Sequence, residues 1–132
     1  MTRGLRNNNP LNIRHGKSRW KGMREEQTDC AFVQFKTRVM GYRAAFVLLR
    51  NYIADGTNTI SRIIGRWAPS TENNTTAYIA HVSETTGIPD YETVRFEDKE
   101  TMIGIVRSMA QIESGIIEKI EVLEEAYENL RY

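Results

Sequence analysis

The chain of 132 residues has the size of one domain and can bury one modest core. With 40% hydrophobic and 27% charged residues, its composition is that of an ordinary globular protein, which excludes disordered, collagenous and membrane-embedded classes. The net charge of +1 hides an asymmetry: residues 1–66 carry 13 Lys+Arg against 4 Asp+Glu, or +9, and residues 67–132 carry 5 against 13, or −8.

The opening "MTRGLRNNNP" is basic with no apolar region behind it, and no apolar run nears the ~18 residues of a membrane span. Synthesis in the cytoplasm without a secretory signal is therefore expected. The first 36 residues show no helical period; turn-prone "RNNNPLN", "RHGK" and "WKG" precede the alternating-to-apolar run "CAFVQF", which predicts loop plus a small β-hairpin. Cys30, the single cysteine, excludes an internal disulfide and reads as a small buried hydrophobe.

From Val39, apolar residues recur at Tyr42, Phe46, Leu49 and Ile53 as one helix face, which Asp55-Gly56 ends. Ile60, Ile63, Ile64 and Trp67 predict a short second helix, capped by Asn58 or Thr59 and stopped by Pro69. "TTAYIAHVSETTG" predicts a third, ending at Gly87, and "DKETMIGIVRSMAQIESG" a fourth, with Asp98 at its start. Ile116, Ile120, Leu123, Tyr127 and Leu130 predict an amphipathic last helix over 116–132, with Glu118, Glu121, Glu124, Glu125 and Glu128 on its other faces. Packing on the domain is its expected role, with self-association or a virion partner as the alternative. The expected fold is a single mainly α (α+β) domain over 1–132.

Glu113 follows Met102, Val106 and Met109 by 11, 7 and 4 residues, so it extends their apolar stripe to the C-terminal end of the fourth helix. Desolvation and the negative end of the helix dipole both disfavour its ionisation there. A carboxyl that keeps its proton near neutral pH can serve as a general acid toward a leaving oxygen. The plainer alternative is a glutamate turned to solvent or paired with Arg107 or Arg43. Glu72 is the leading second carboxylate, either capping a helix near Thr75 or positioning water; Asp29 is a weaker one, explained as a turn residue.

The helix end "AQIESG" resembles the "A-x-x-ES-G" that carries the catalytic glutamate of lysozyme-like muramidases, lytic transglycosylases and glucosaminidase-type autolysins. In the last group an "NN-x-FGIK" segment, "W-x-G", an aromatic hairpin and a helix come after it. Here "NNNPLNIR", "WKG", "CAFVQF" and "GYRAAFVLLRNY" occur in that order, but the glutamate helix lies at the far end, as in a circular permutation. "RWAPSTENNTTAYIAHV" resembles a later autolysin segment. Residues 3–115 also resemble small phage and prophage proteins of the type "RG-x-RNNNPGNIR…WAP-x-x-EN-x-T-x-Y", labelled virion structural proteins or endolysins, although Leu11 replaces their usual glycine.

These resemblances imply a lysozyme-like helical domain that cleaves the glycan strands of peptidoglycan, with Glu113 and Glu72 as catalytic residues. It would act at the bacterial cell wall or be carried in a phage virion. Asn7, Asn8, Asn9 and Asn12 would offer amides to amino sugars. Trp20 and Tyr78 would provide stacking surfaces, whereas Tyr42 and Trp67 are expected inside. His15 and His81 have no metal-ligand spacing around them, so neither metal nor cofactor is expected. Two other readings are a non-catalytic phage structural or adaptor protein and, with less support, a nucleic-acid-binding protein using Arg3, Arg6, Arg14, Lys17, Arg19, Lys21 and Arg24.

Overall fold

The computed structural model describes residues 1–71 and 73–131. Among the described residues six helices follow in chain order: α1 (Arg3–Arg6), α2 (Arg38–Ala54), α3 (Ile60–Trp67), α4 (Thr75–Thr86), α5 (Lys99–Ser114) and α6 (Ile120–Glu128), the last running into a 3-10 turn, Asn129–Arg131. The boundaries have local causes. Thr37, Thr59, Asn74 and Asp98 each accept, through the side chain, a backbone N–H of the first turn of α2, α3, α4 and α5. Gly87 and Gly115 end α4 and α5 in the left-handed conformation that glycine adopts without steric cost.

Helix α5 holds the core together. Met102, Ile105, Val106 and Met109 are fully buried, and the helix contacts α1, α2, α4 and α6. Tyr42, Phe46 and Leu49 of α2, Ile60, Ile63 and Ile64 of α3, and Val82 of α4 complete the centre. Burying each large apolar side chain contributes about 1.5–3 kcal/mol, so this apolar face, more than helix propensity, stabilises α5.

The β-hairpin is not formed, and the fold is mainly α without a sheet among the described residues. Two isolated antiparallel bridges, Arg14 to Phe32 and Met23 to Phe35, are all the β pairing there. The alternation in "CAFVQF" does bury Val33 and Phe35, but no neighbouring strand supplies their backbone partners. Val33 N–H donates to Ile13 O, Phe35 N–H to Asn7 O, and Gln34 N–H to the Gln27 side chain, while Val33 O accepts from the Asn9 amide. Around the two bridges His15 N–H donates to Ala31 O, Arg24 N–H to Gln34 O and Lys36 N–H to Gly22 O, so side-chain amides supplement backbone pairings too short to form a ladder. Helix α1 escapes sequence periodicity because four residues make barely one turn.

Cys30 is exposed, contrary to its expected burial. The Asp29 carboxylate accepts the backbone N–H groups of Ala31 and Phe32, and the resulting turn puts Cys30 on the surface.

The expected helix over 116–132 also needs correction: α6 begins only at Ile120, since Gly115 ends α5 and Lys119 is extended. Glu118, expected on a solvated face, is instead buried at 2% exposure. It accepts from the Tyr42 hydroxyl at 3.0 Å and pairs with Arg38 Nε at 2.7 Å. Leu123 and Ala126 of α6 are buried, and the helix lies against α2. Tyr132 and Glu72 lie outside the described residues.

Candidate functional site

The last turn of α5 and the segment from Thr2 to Arg14 are far apart in sequence and adjacent in space. Ser114 Oγ donates to Pro10 O at 2.6 Å, Thr2 Oγ1 donates to Ser114 O at 3.0 Å, and Asn12 Nδ2 donates to Glu113 O at 3.1 Å. Such close approach requires Gly4, because a Cβ there would collide with Ser114 Oγ. Gly41 does the same for α2, where a Cβ would strike the carbonyl oxygen of Asn8.

Glu113 sits at this junction, on the wall of a cleft of about 720 Å³. Its side chain accepts from Asn12 Nδ2 at 3.3 Å and from the Tyr78 hydroxyl at 3.1 Å, with the Trp67 indole N–H near enough to favour its ionised form. Burial pushes its pKa above the ordinary glutamate value, and the donors Asn12, Tyr78 and Trp67, with the positive charge of Arg14, pull only partly back. Burial and the adjacent Glu113 charge hold the Tyr78 phenol far above its usual range, so it stays protonated and serves as a donor.

Asn12 is shaped for its position. It adopts φ +54°, a left-handed conformation that asparagine tolerates better than most residues, and this swings its amide onto Glu113. Leu11 beside it is 1% exposed in the core and is not among the residues with positive φ, so this position does not need a glycine for its backbone. The remaining lining includes Arg14, Trp20, Phe32, Tyr52, Trp67 and Asn73. Trp20 and Trp67 are each half-buried and offer apolar faces to the cleft.

The expected sugar-binding residues therefore separate into two groups. Asn12 and Trp20 line the cleft with Glu113, whereas Asn7, Asn8 and Asn9 turn inward. Asn9 is fully buried, donates to Ile13 O at 2.9 Å and Val33 O at 2.8 Å, and accepts from Ile13 N–H at 2.9 Å. Asn7 donates to Asp29 and accepts from Gln34; Asn8, at φ +50°, donates to Phe35 O and Lys36 O. The run of asparagines thus replaces backbone partners in a loop that lacks a sheet.

Tyr78 is 4% exposed, so its ring belongs to the core and only its hydroxyl reaches the site. Trp67, expected inside, shares in the cleft wall. Tyr42 is buried as expected. Asp29 is occupied with Arg3, Asn7 and two backbone N–H groups, away from the cleft lining. His15 Nε2 meets Asp29 O and His81 Nε2 meets Gln111 Oε1. Glu72, the expected second catalytic carboxylate, lies outside the described residues; its neighbour Asn73 lines the cleft.

Sequence reasoning named Arg14 only within a nucleic-acid footprint and did not place it with Glu113, although a signal was present. In "LNIR", Leu11 and Ile13 are buried, so Asn12 and Arg14 alternate with them and share the opposite side. Among the described lining residues, Glu113 is the single carboxylate and Arg14 the single cation.

No protein-family model matches the chain. Over 117 residues it is 43% identical to Protein P5 of Pseudoalteromonas phage PM2, in a match covering 86% of this chain and 71% of that protein.

Proposed function

The chain belongs to the family of Protein P5 of Pseudoalteromonas phage PM2, and from that premise we propose that it is a phage protein whose cleft cleaves the glycan strands of peptidoglycan. The observation that carries this reading is Glu113: a partly buried carboxyl on the wall of an aromatic-lined cleft, held by the side-chain donors Asn12 and Tyr78 and pushed above its ordinary pKa by burial. Glu113 would give its proton to the glycosidic oxygen as the bond to the anomeric carbon breaks, leaving an oxocarbenium-like centre. Water, or a hydroxyl of the same sugar, would then add to that carbon and return a proton to Glu113. Trp20 and Trp67 would bind the sugar faces, and Asn12 and Tyr78 would keep the carboxyl pointed at the bond. The adjacency of the Glu113 turn and the asparagine loop supports this reading.

The second reading is a phage structural or adaptor protein that keeps the cleft without turnover. Kinship to a phage protein and the lone carboxylate among the described lining residues favour it. Purified peptidoglycan separates the two: wild type should release soluble fragments, and Glu113→Gln should lose about 10²–10⁴-fold of the rate, the usual worth of a general acid. Mass spectrometry of the product ends would distinguish a reducing sugar from an anhydro ring. No release from several wall types, or equal release by both proteins, would remove Glu113 catalysis; the first result would leave the structural reading.

A further inference from the structure

We propose that Arg14 selects glycan strands that carry a carboxylate beside the cleaved bond, the lactyl or stem-peptide carboxylate of a muramoyl residue, over neutral amino-sugar strands. The assignment deepens the glycan-cleaving reading and rests on it. Arg14 lines the same cleft as Glu113 and is close enough that its charge favours the ionised glutamate. Its backbone is held by the bridge to Phe32, and its guanidinium lies over the Phe32 ring, 5.2 Å from the centroid. That stacking fixes a planar donor group on the cleft wall.

The comparison with Arg3 shows what distinguishes Arg14. Arg3 stacks on the same ring at 4.5 Å, but Asp29 holds it with two bonds of 2.7 Å. Arg14 has no salt bridge or side-chain hydrogen bond among the described residues and is exposed. A cation held in place, facing a cleft, with its donors free, suits a carboxylate on the ligand. Glu113 cannot fill that role for it without losing the proton that the reaction requires. Neutral N-acetylglucosamine strands offer Arg14 only uncharged carbonyl and hydroxyl acceptors, whereas a muramoyl residue carries its acid on the ring next to the scissile bond.

The test compares three substrates of matched length: neutral chitin oligomers, glycan strands stripped of peptide by an amidase, which bear lactyl carboxylates, and strands with intact stem peptides. Wild type, Arg14→Gln and Arg14→Lys are assayed on each at low and at physiological salt. Using the ratio of anionic to neutral rates cancels the effect of Arg14 on the Glu113 charge, which acts on every substrate alike. Arg14→Gln should lower that ratio about five- to tenfold at low salt and less at high salt, with Arg14→Lys keeping only part of it, because an ammonium lacks the planar fork that Phe32 holds. A drop confined to stripped strands assigns the lactyl group, and one confined to intact strands assigns the stem peptide. A ratio within twofold of wild type overturns the assignment.

Binding of the same strands to Glu113→Gln, with and without Arg14→Gln, is followed by tryptophan fluorescence. Charge-selective binding that depends on Arg14, without cleavage by wild type, would overturn the glycan-cleaving reading and leave the role of Arg14 standing. Equal binding with and without Arg14 would overturn the latter.

Discussion

Replacing Glu113 by glutamine should leave the folded protein as stable as wild type, or more so, at neutral pH. The amide can keep both hydrogen bonds: its oxygen accepts from Asn12 Nδ2, and its nitrogen donates to the Tyr78 hydroxyl, which rotates to accept. What the substitution removes is an ionised carboxylate in a partly desolvated place. A carboxyl whose folded pKa lies above its unfolded value, as here, binds more protons in the native state. Its contribution to stability is therefore complete below the unfolded value, 4.5, and is lost as pH rises through the higher folded value.

Removing the partly desolvated charge should stabilise Glu113→Gln at pH 7.5 by about 0.5–1.5 kcal/mol, within the usual range of a single stabilising substitution. That corresponds to roughly 2–6 °C in Tm for a domain of this size. The gain should vanish at pH 4. Thermal unfolding of both proteins from pH 4 to 8, beside their activity, checks it. A variant less stable by more than about 1 kcal/mol at neutral pH, with a difference independent of pH, would refute the reasoning and make Glu113 a structural residue.

Three further substitutions probe the frame around the site. Asn9→Ala strips three buried hydrogen bonds from the backbone of Ile13 and Val33 and should cost about 2–4 kcal/mol in urea unfolding, whereas a neutral effect would return the loop to a ligand-binding role. Gly4→Ala should lower Tm by several degrees through its collision with Ser114 Oγ, and Gly4→Ala with Ser114→Ala should recover only part, since the carbonyl of Asn9 also crowds that Cβ at 3.0 Å. Asp29 is held well below the usual carboxylate range by the Arg3 guanidinium, then by the Phe32 N–H, the Asn7 amide and the Ala31 N–H. It therefore contributes stability above its unfolded pKa that is lost as pH falls, so Asp29→Asn should be less stable than wild type at pH 7 with a gap that narrows in acid. A gap that widens in acid would contradict this.

Much of the helical frame was legible in the sequence because its determinants are local. The spacing of Ile60, Ile63, Ile64 and Trp67, the caps at Thr59 and Asp98 and the stops at Gly87 and Gly115 lie within a turn or two of the helices they govern. Glu113 was legible for the same reason, as the one acid extending a buried stripe. The fate of "CAFVQF" was not. Val33 and Phe35 are buried, but so is Gln34 between them, and Cys30 is exposed; whether the run becomes a strand depends on partners elsewhere, and Asn7, Asn9 and Gln27 supply some of its bonds.

The same distinction separates the asparagines. Four of them share one short run and one set of chemical abilities, yet only Asn12 faces Glu113, because its left-handed backbone turns its amide that way while Asn9 points into the core. Glu118 reads as one more acid on a solvated helix until the chain, reversed at Gly115, brings it against Tyr42 and Arg38, 76 and 80 positions earlier. By itself the sequence determined helices α2 to α5, their caps and stops, and the acid on the apolar stripe, all set by neighbours along the chain. Only the tertiary structure decided which polar residues meet in the cleft and which act as internal struts, because those roles depend on partners a hundred residues away.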